Sequence, residues 1–121
     1  MMKTWLLSVL LLSSSAFAQN FSGLWVVSGD VDDDSVTPAC MLEQKGHILS
    51  GTCKLDGNRT AAAQGSVKGK QATWSYTTTY QNTPFKLTLS GIIGEDKLMQ
   101  GTISIDPSGA SGEFTAERQN H

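Results

Sequence analysis

Apolar and polar residues alternate in short runs from residue 23 to residue 118, and the runs are cut by Gly, Asn, Asp and Pro. No apolar period of helical length lasts beyond a turn. A period of two belongs to strands with one buried face, so the pattern predicts an all-β chain. Eight strands are expected, over residues 23–29, 39–45, 48–55, 61–68, 71–80, 85–93, 98–105 and 111–118.

Two connections set registers. Lys45-Gly46-His47-Ile48 and Lys68-Gly69-Lys70-Gln71 each put Gly first in a two-residue loop, the position of a type II′ turn that needs positive φ. In the first hairpin Lys45 then pairs with Ile48, and counting outward brings Cys40 opposite Cys53. That pair is non-hydrogen-bonded, where Cα atoms approach to ~4.5 Å and a disulfide is within reach. Leu42, Leu49, Gly51 and Leu55 share the cysteines' face, while Glu43, Lys45, Ser50, Thr52 and Lys54 take the other. In the second hairpin Val67 falls opposite Ala72, Gly65 opposite Trp74 and Ala63 opposite Tyr76. Small residues thus face large rings, which fills a narrow interior without overpacking.

Eight antiparallel strands joined in sequence by mostly short turns suit an up-and-down barrel, with a β-sandwich as the alternative. Closure removes exposed edges, and successive hairpins need no long crossing. An eight-stranded barrel has room for packed side chains or for one small ligand.

Residues 1–18 stand apart from this pattern. Lys3, the apolar run from Trp5 to Leu12 and the triplet Ala16-Phe17-Ala18 have the layout of a secretory signal cleaved before Gln19. Residues 19–121 then form a single barrel domain. The apolar run is shorter than the ~20 residues a membrane span needs, and no later run approaches that length. The expected location is outside the cytoplasm, periplasmic or extracellular and bacterial in style, where two cysteines are expected to be joined. The formal net charge of −2 becomes more negative when Lys3 leaves, and no basic stripe is present, which argues against nucleic acid as a partner.

Gly23-Leu24-Trp25 opens the first strand, and Arg118 closes the last on the face of Phe114 and Ala116. In this the chain resembles the calycin superfamily of lipocalins, fatty-acid-binding proteins, avidins and small bacterial metalloprotease inhibitors. The resemblance implies that Gly23, Trp25 and Arg118 meet to close one end of the barrel. A guanidinium over an indole contributes ~0.5 to 2 kcal/mol there. Functional detail departs from the resemblance. Val26 and Val27 stand where avidins carry polar biotin contacts, and only Gln19 to Ser22 precede Gly23, too little for the inhibitors' N-terminal probe.

With strand one starting at the closed end, the longer connections, residues 30–38, 56–60, 81–84 and 106–110, gather at the mouth. Binding residues of barrels usually sit there. Trp74, Tyr76 and Tyr80 share one strand face, with Phe85 beyond the next loop, and these four are the candidate ligand-binding residues. The same aromatics also suit a filled core. The run Asp30, Asp32, Asp33, Asp34 fails as an EF-hand, because Ser35 and Met41 stand where Gly and a bidentate Glu belong. No metal site and no cofactor are expected. His47 lies in a tight turn, His121 is terminal and the cysteines are paired, so no activated nucleophile is visible and no enzyme is expected. The reading is an exported binding module for a small apolar or aromatic ligand at the open end. Two alternatives stand beside it: a module that binds or inhibits a secreted protein through its loops, and a self-associating structural protein using outward Leu24, Val26, Met41, Ile48 and Ile92.

Overall fold

The computed structural model describes residues 20–119, which are strands apart from turns and one 3-10 turn at Asp56–Asn58. The leader expected over residues 1–18, and His121, lie outside the described residues. In chain order the strands are β1 (Gly23–Val31), β2 (Asp34–Val36), β3 (Ala39–Lys45), β4 (Ile48–Lys54), β5 (Thr60–Lys68), β6 (Gln71–Tyr80), β7 (Thr83–Ile93), β8 (Leu98–Asp106) and β9 (Ser111–Gln119). From β3 to β9 each strand pairs antiparallel with the next, β1 pairs with β3, and β9 returns to β1. Eight strands therefore close a barrel, with β2 as a short addition, and the sandwich alternative falls.

The two predicted hairpins form in their expected registers. Gly46 and Gly69 take φ values of 63° and 61°, while His47 and Lys70, which follow them, do not have positive φ. Cys40 faces Cys53 and is disulfide-bonded to it, with Cα atoms 3.9 Å apart. Val67 faces Ala72 and Gly65 faces Trp74, but the expected pairing of Ala63 with Tyr76 does not form, because the ladder ends at Gln64↔Ser75.

Residues 30–38 are not the loop that was expected. β2 and β3 lie against one side of β1 in a single register, Val36 opposite Gly29 and Ala39 opposite Val26. They amount to one strand interrupted at Thr37-Pro38, where proline has no N–H for the ladder although its carbonyl still accepts from Val27 N–H at 3.0 Å. Only Asp32 and Asp33 turn, with Asp32 at a φ of 57°. The aspartates conceal the alternation, leaving Val31 and Val36 as its only apolar marks. Residues 81–84 also shrink to a two-residue turn, because Gln81 and Asn82 both take positive φ, 51° and 68°, and Pro84 already belongs to β7.

Inward-facing residues fill the middle of the barrel. Trp25, Val27, Cys40, Leu49, Cys53, Trp74, Leu89, Met99 and Ile103 are all fully buried, and no charged residue is buried among the described residues. A Cβ built on Gly91 would stand 2.7 Å from Met99 Cγ and 2.9 Å from Phe114 Cζ, and one on Gly29 would stand 2.7 Å from Ile103 Cδ1. A methyl group at either position would have to displace Met99, Phe114 or Ile103, as expected of a close-packed interior.

One end is sealed by the segment that leads into β1. Trp25 Nε1 donates to the Phe21 carbonyl at 2.8 Å, and the Phe21 N–H donates to Gln44 Oε1 at 2.7 Å. The Arg118 guanidinium lies 4.7 Å from the centroid of the Trp25 ring and donates through Nη1 to the carbonyls of Asn20 (2.8 Å) and Ser22 (3.1 Å). Gly23 permits that approach, since a Cβ there would sit 3.1 Å from Arg118 Cδ. Gly23, Trp25 and Arg118 thus stand together under the barrel. Among the described residues no helix is long and apolar enough to cross a membrane.

Candidate functional site

The end opposite Trp25 is the open one. The β1–β2 turn, the 55–59 link, the Gln81-Asn82 turn and the 107–110 link all lie there, because alternate strand ends of an up-and-down barrel share a rim. A cavity of about 140 Å³ opens in this mouth. Val36, Pro38, Leu55 and Leu87 give it apolar walls, and Asp56, Arg59, Tyr76 and Thr78 supply its polar groups. A space of this size is close to the ~150 Å³ that receives a benzene ring in an apolar core.

Tyr76 is carried inward because residues 74, 76, 78 and 80 share the inner face of β6. Only 5% of it is exposed. Burial, and secondarily the negative charge of Asp56, push its hydroxyl up to about 12, so at neutral pH it holds its proton and can donate it in a hydrogen bond. Arg59 is placed by the link before β5, where Gly57 and Asn58 both take left-handed φ, 68° and 65°. Its Nε donates to the Asp56 carbonyl at 3.2 Å, and its Nη1 donates to Thr78 Oγ1 and to the Thr79 carbonyl, both at 3.2 Å. The guanidinium therefore spans from the link to β6 at the cavity's edge. Apolar walls with a phenol donor, a hydroxyl and a cation can hold a small ring bearing a polar substituent. The described residues contain no free cysteine.

The four candidate aromatics are not all brought to this cavity. Trp74 is fully buried deeper in the barrel, set edge-on to Phe114 with centroids 6.0 Å apart and planes at 76°. Phe85 faces inward opposite Thr78 and packs half-buried on the core, without lining the cavity. Tyr80 is 65% exposed at the rim. Only Tyr76 lines the cavity. Arg59, Asp56, Thr78, Leu87 and the Val36–Pro38 corner were not among the candidate residues, although connections 30–38 and 56–60 were expected at the mouth. Thr78 and Leu87 share the parity of Tyr76 and Leu89, so alternation alone would have found them. The link residues and the corner depended on loop paths that carry no period.

A larger groove of about 810 Å³ runs along the turn between β7 and β8 at the closed end, with Lys70, Glu95, Asp96, Lys97 and Glu117 on its walls. Its walls are of mixed charge, and its Arg118 is already engaged by Trp25 and two carbonyls. The mouth is the better candidate, since it brings apolar walls and converging polar groups to one ring-sized space. No group of three or more His, Cys, Asp or Glu side chains among the described residues is arranged to hold a metal ion.

Comparison with known proteins yields no matching family model, no matching curated protein and no matching solved structure.

Proposed function

We propose that the protein is an exported binding module that holds one ring-sized apolar or aromatic group at its open end. The observation that carries the reading is the cavity of about 140 Å³ bounded by Tyr76, Arg59 and Leu87 above a filled barrel. The filled interior argues against a carrier that encloses its ligand. The group held is either a small free molecule or a side chain of a secreted protein, and no catalytic step or cofactor is involved. The leader pattern supports a periplasmic or extracellular location in a bacterium, and the Cys40–Cys53 bond is consistent with such an oxidising compartment.

The test is titration of the secreted protein with phenol and with N-acetyl-phenylalanine amide, followed by NMR. An affinity near millimolar, ~4 kcal/mol, suits a group of this size. Shifts are expected at Tyr76, Thr78 and Leu87, and Leu87→Trp, which fills the cavity, is expected to abolish them. Absence of shifts with both compounds, or undiminished binding in a folded Leu87→Trp variant, sinks the reading.

A further inference from the structure

The wall of the barrel is incomplete beside the mouth. Between β5 and β6 the ladder runs from Lys68↔Gln71 to Gln64↔Ser75 and stops after five pairs. β6 continues to Tyr80 and stays paired with β7 throughout, and β5 begins at Thr60, paired with β4. Thr60 to Ala63 on one side, and Tyr76 to Tyr80 on the other, therefore border a seam that the ladder does not cross.

Alternation shows which backbone groups look into it. The pair closing each two-residue turn exchanges hydrogen bonds, and every second pair after it does the same. Counting from Lys68↔Gln71, the odd residues of β6 turn N–H and C=O toward β5; counting from Tyr80↔Thr83, the even residues turn theirs toward β7. Thr77 and Thr79 accordingly present their backbone groups to the seam. One observed contact agrees with this count: Arg59 Nη1 reaches the carbonyl of Thr79. The same counting through β4 directs Thr60 and Ala62 into the seam from the other side. A free edge is normally blunted by lysine, proline or a bulge. Here Thr60, Ala62, Thr77 and Thr79 are small and uncharged, and the exposed side chain of Arg59 reaches across to Thr78 and Thr79.

We infer that this seam docks an extended polypeptide segment, which displaces Arg59, pairs with β6 at Thr77 and Thr79 and sends one side chain into the mouth cavity. The inference rests on the mouth-binding reading and adds the partner's class. Main-chain donors and acceptors spaced by two residues are what an added strand recognises, and the neighbouring cavity supplies selection for the inserted side chain. Both features lie on one strand, since Tyr76 and Thr78 line the cavity while Thr77 and Thr79 form the edge.

The experiment is amide hydrogen exchange on the secreted protein with capped pentapeptides Thr-Val-x-Val-Thr, where x is Ala, Leu or Phe. The controls are the same peptides N-methylated at alternate nitrogens, and N-acetyl-phenylalanine amide alone. The Leu or Phe peptide is expected to slow exchange at Thr77 and Thr79 at least about tenfold, while the N-methylated peptides and the lone ring leave it unchanged. Arg59→Ala, and Arg59→Gln as a milder variant, are expected to bind the same peptide about fivefold more tightly because the competitor is gone. Equal binding of the N-methylated peptides, or no protection of Thr77 and Thr79 by any pentapeptide, overturns the docking. If the lone ring then still shifts Tyr76 and Leu87, the mouth reading survives without it; if nothing shifts, both fall. Protection that appears with protein concentration alone would mean that a second copy fills the seam, and that also overturns the inference.

Discussion

A glycine in this barrel answers to a neighbouring carbonyl as often as to a neighbouring side chain. Gly65 opposite Trp74 reads, in the sequence, as a small residue making room for a ring. In the fold its missing Cβ would stand 1.8 Å from the Thr73 carbonyl oxygen, and the same holds at Gly112 against Asp30, also 1.8 Å. The backbones themselves occupy the space. Tyr76 carries the clearest consequence at this scale. Burial, with Asp56 contributing less, raises its hydroxyl to about 12 from an ordinary 10, so the folded chain holds the proton more tightly than the unfolded chain does. The stabilisation is complete below the unfolded value and is lost as pH rises from 10 through 12, a loss of about 3 kcal/mol. Urea unfolding of the wild type and of Tyr76→Phe, compared below and above that window, is expected to show this loss in the wild type alone. Equal losses in both proteins would remove Tyr76 as the cause.

Among the elements, the β3–β4 hairpin is the one whose details were most legible beforehand. Gly46 names the turn, the turn fixes the register, and the register sets Cys40 against Cys53. The disulfide closes a loop of about 14 residues and contributes about 3 kcal/mol in the chain-entropy picture. Cys40→Ala combined with Cys53→Ala is expected to lower the unfolding free energy by that amount in urea, without changing the register; nuclear Overhauser contacts between the strands would check the latter. A loss near zero would mean that the hairpin restrains the unfolded chain without the bond. β2 and the seam were illegible for physical reasons. In β2 the inward positions are too few and the aspartates too many for alternation to register. At the seam, β5 and β6 both keep their strand pattern past Gln64 and Ser75, and periodicity says which face is buried but not whether two backbones remain in contact. Arg59 belongs to a link, so nothing in its surroundings marked it as the group that spans the opening.

Taken whole, the molecule is sealed by Arg118 and Trp25 at one end, packed in the middle and open at the other, and this gradient decides where a ligand can act. The packed layer depends on Phe114, which meets Trp74 edge-on at 6.0 Å and closes over Gly91. Trp74 Nε1 is buried there without a hydrogen-bond partner among the described residues, so the indole is held by packing and not by a polar contact. Removing Phe114 should turn a filled barrel into a hollow one. Phe114→Ala is expected to cost about 3 to 5 kcal/mol and to leave a cavity against Trp74, with Phe114→Leu as the milder variant if the first does not fold. Benzene should then shift the Trp74 indole N–H resonance in the variant, as apolar cavities of this kind accept such rings. In the wild type benzene should leave that resonance in place and reach only Tyr76 at the mouth. A Trp74 shift of equal size in the wild type would show an interior already open to ligand. The confinement of binding to the mouth, and with it the choice of a rim-binding module over an enclosing carrier, would then be wrong.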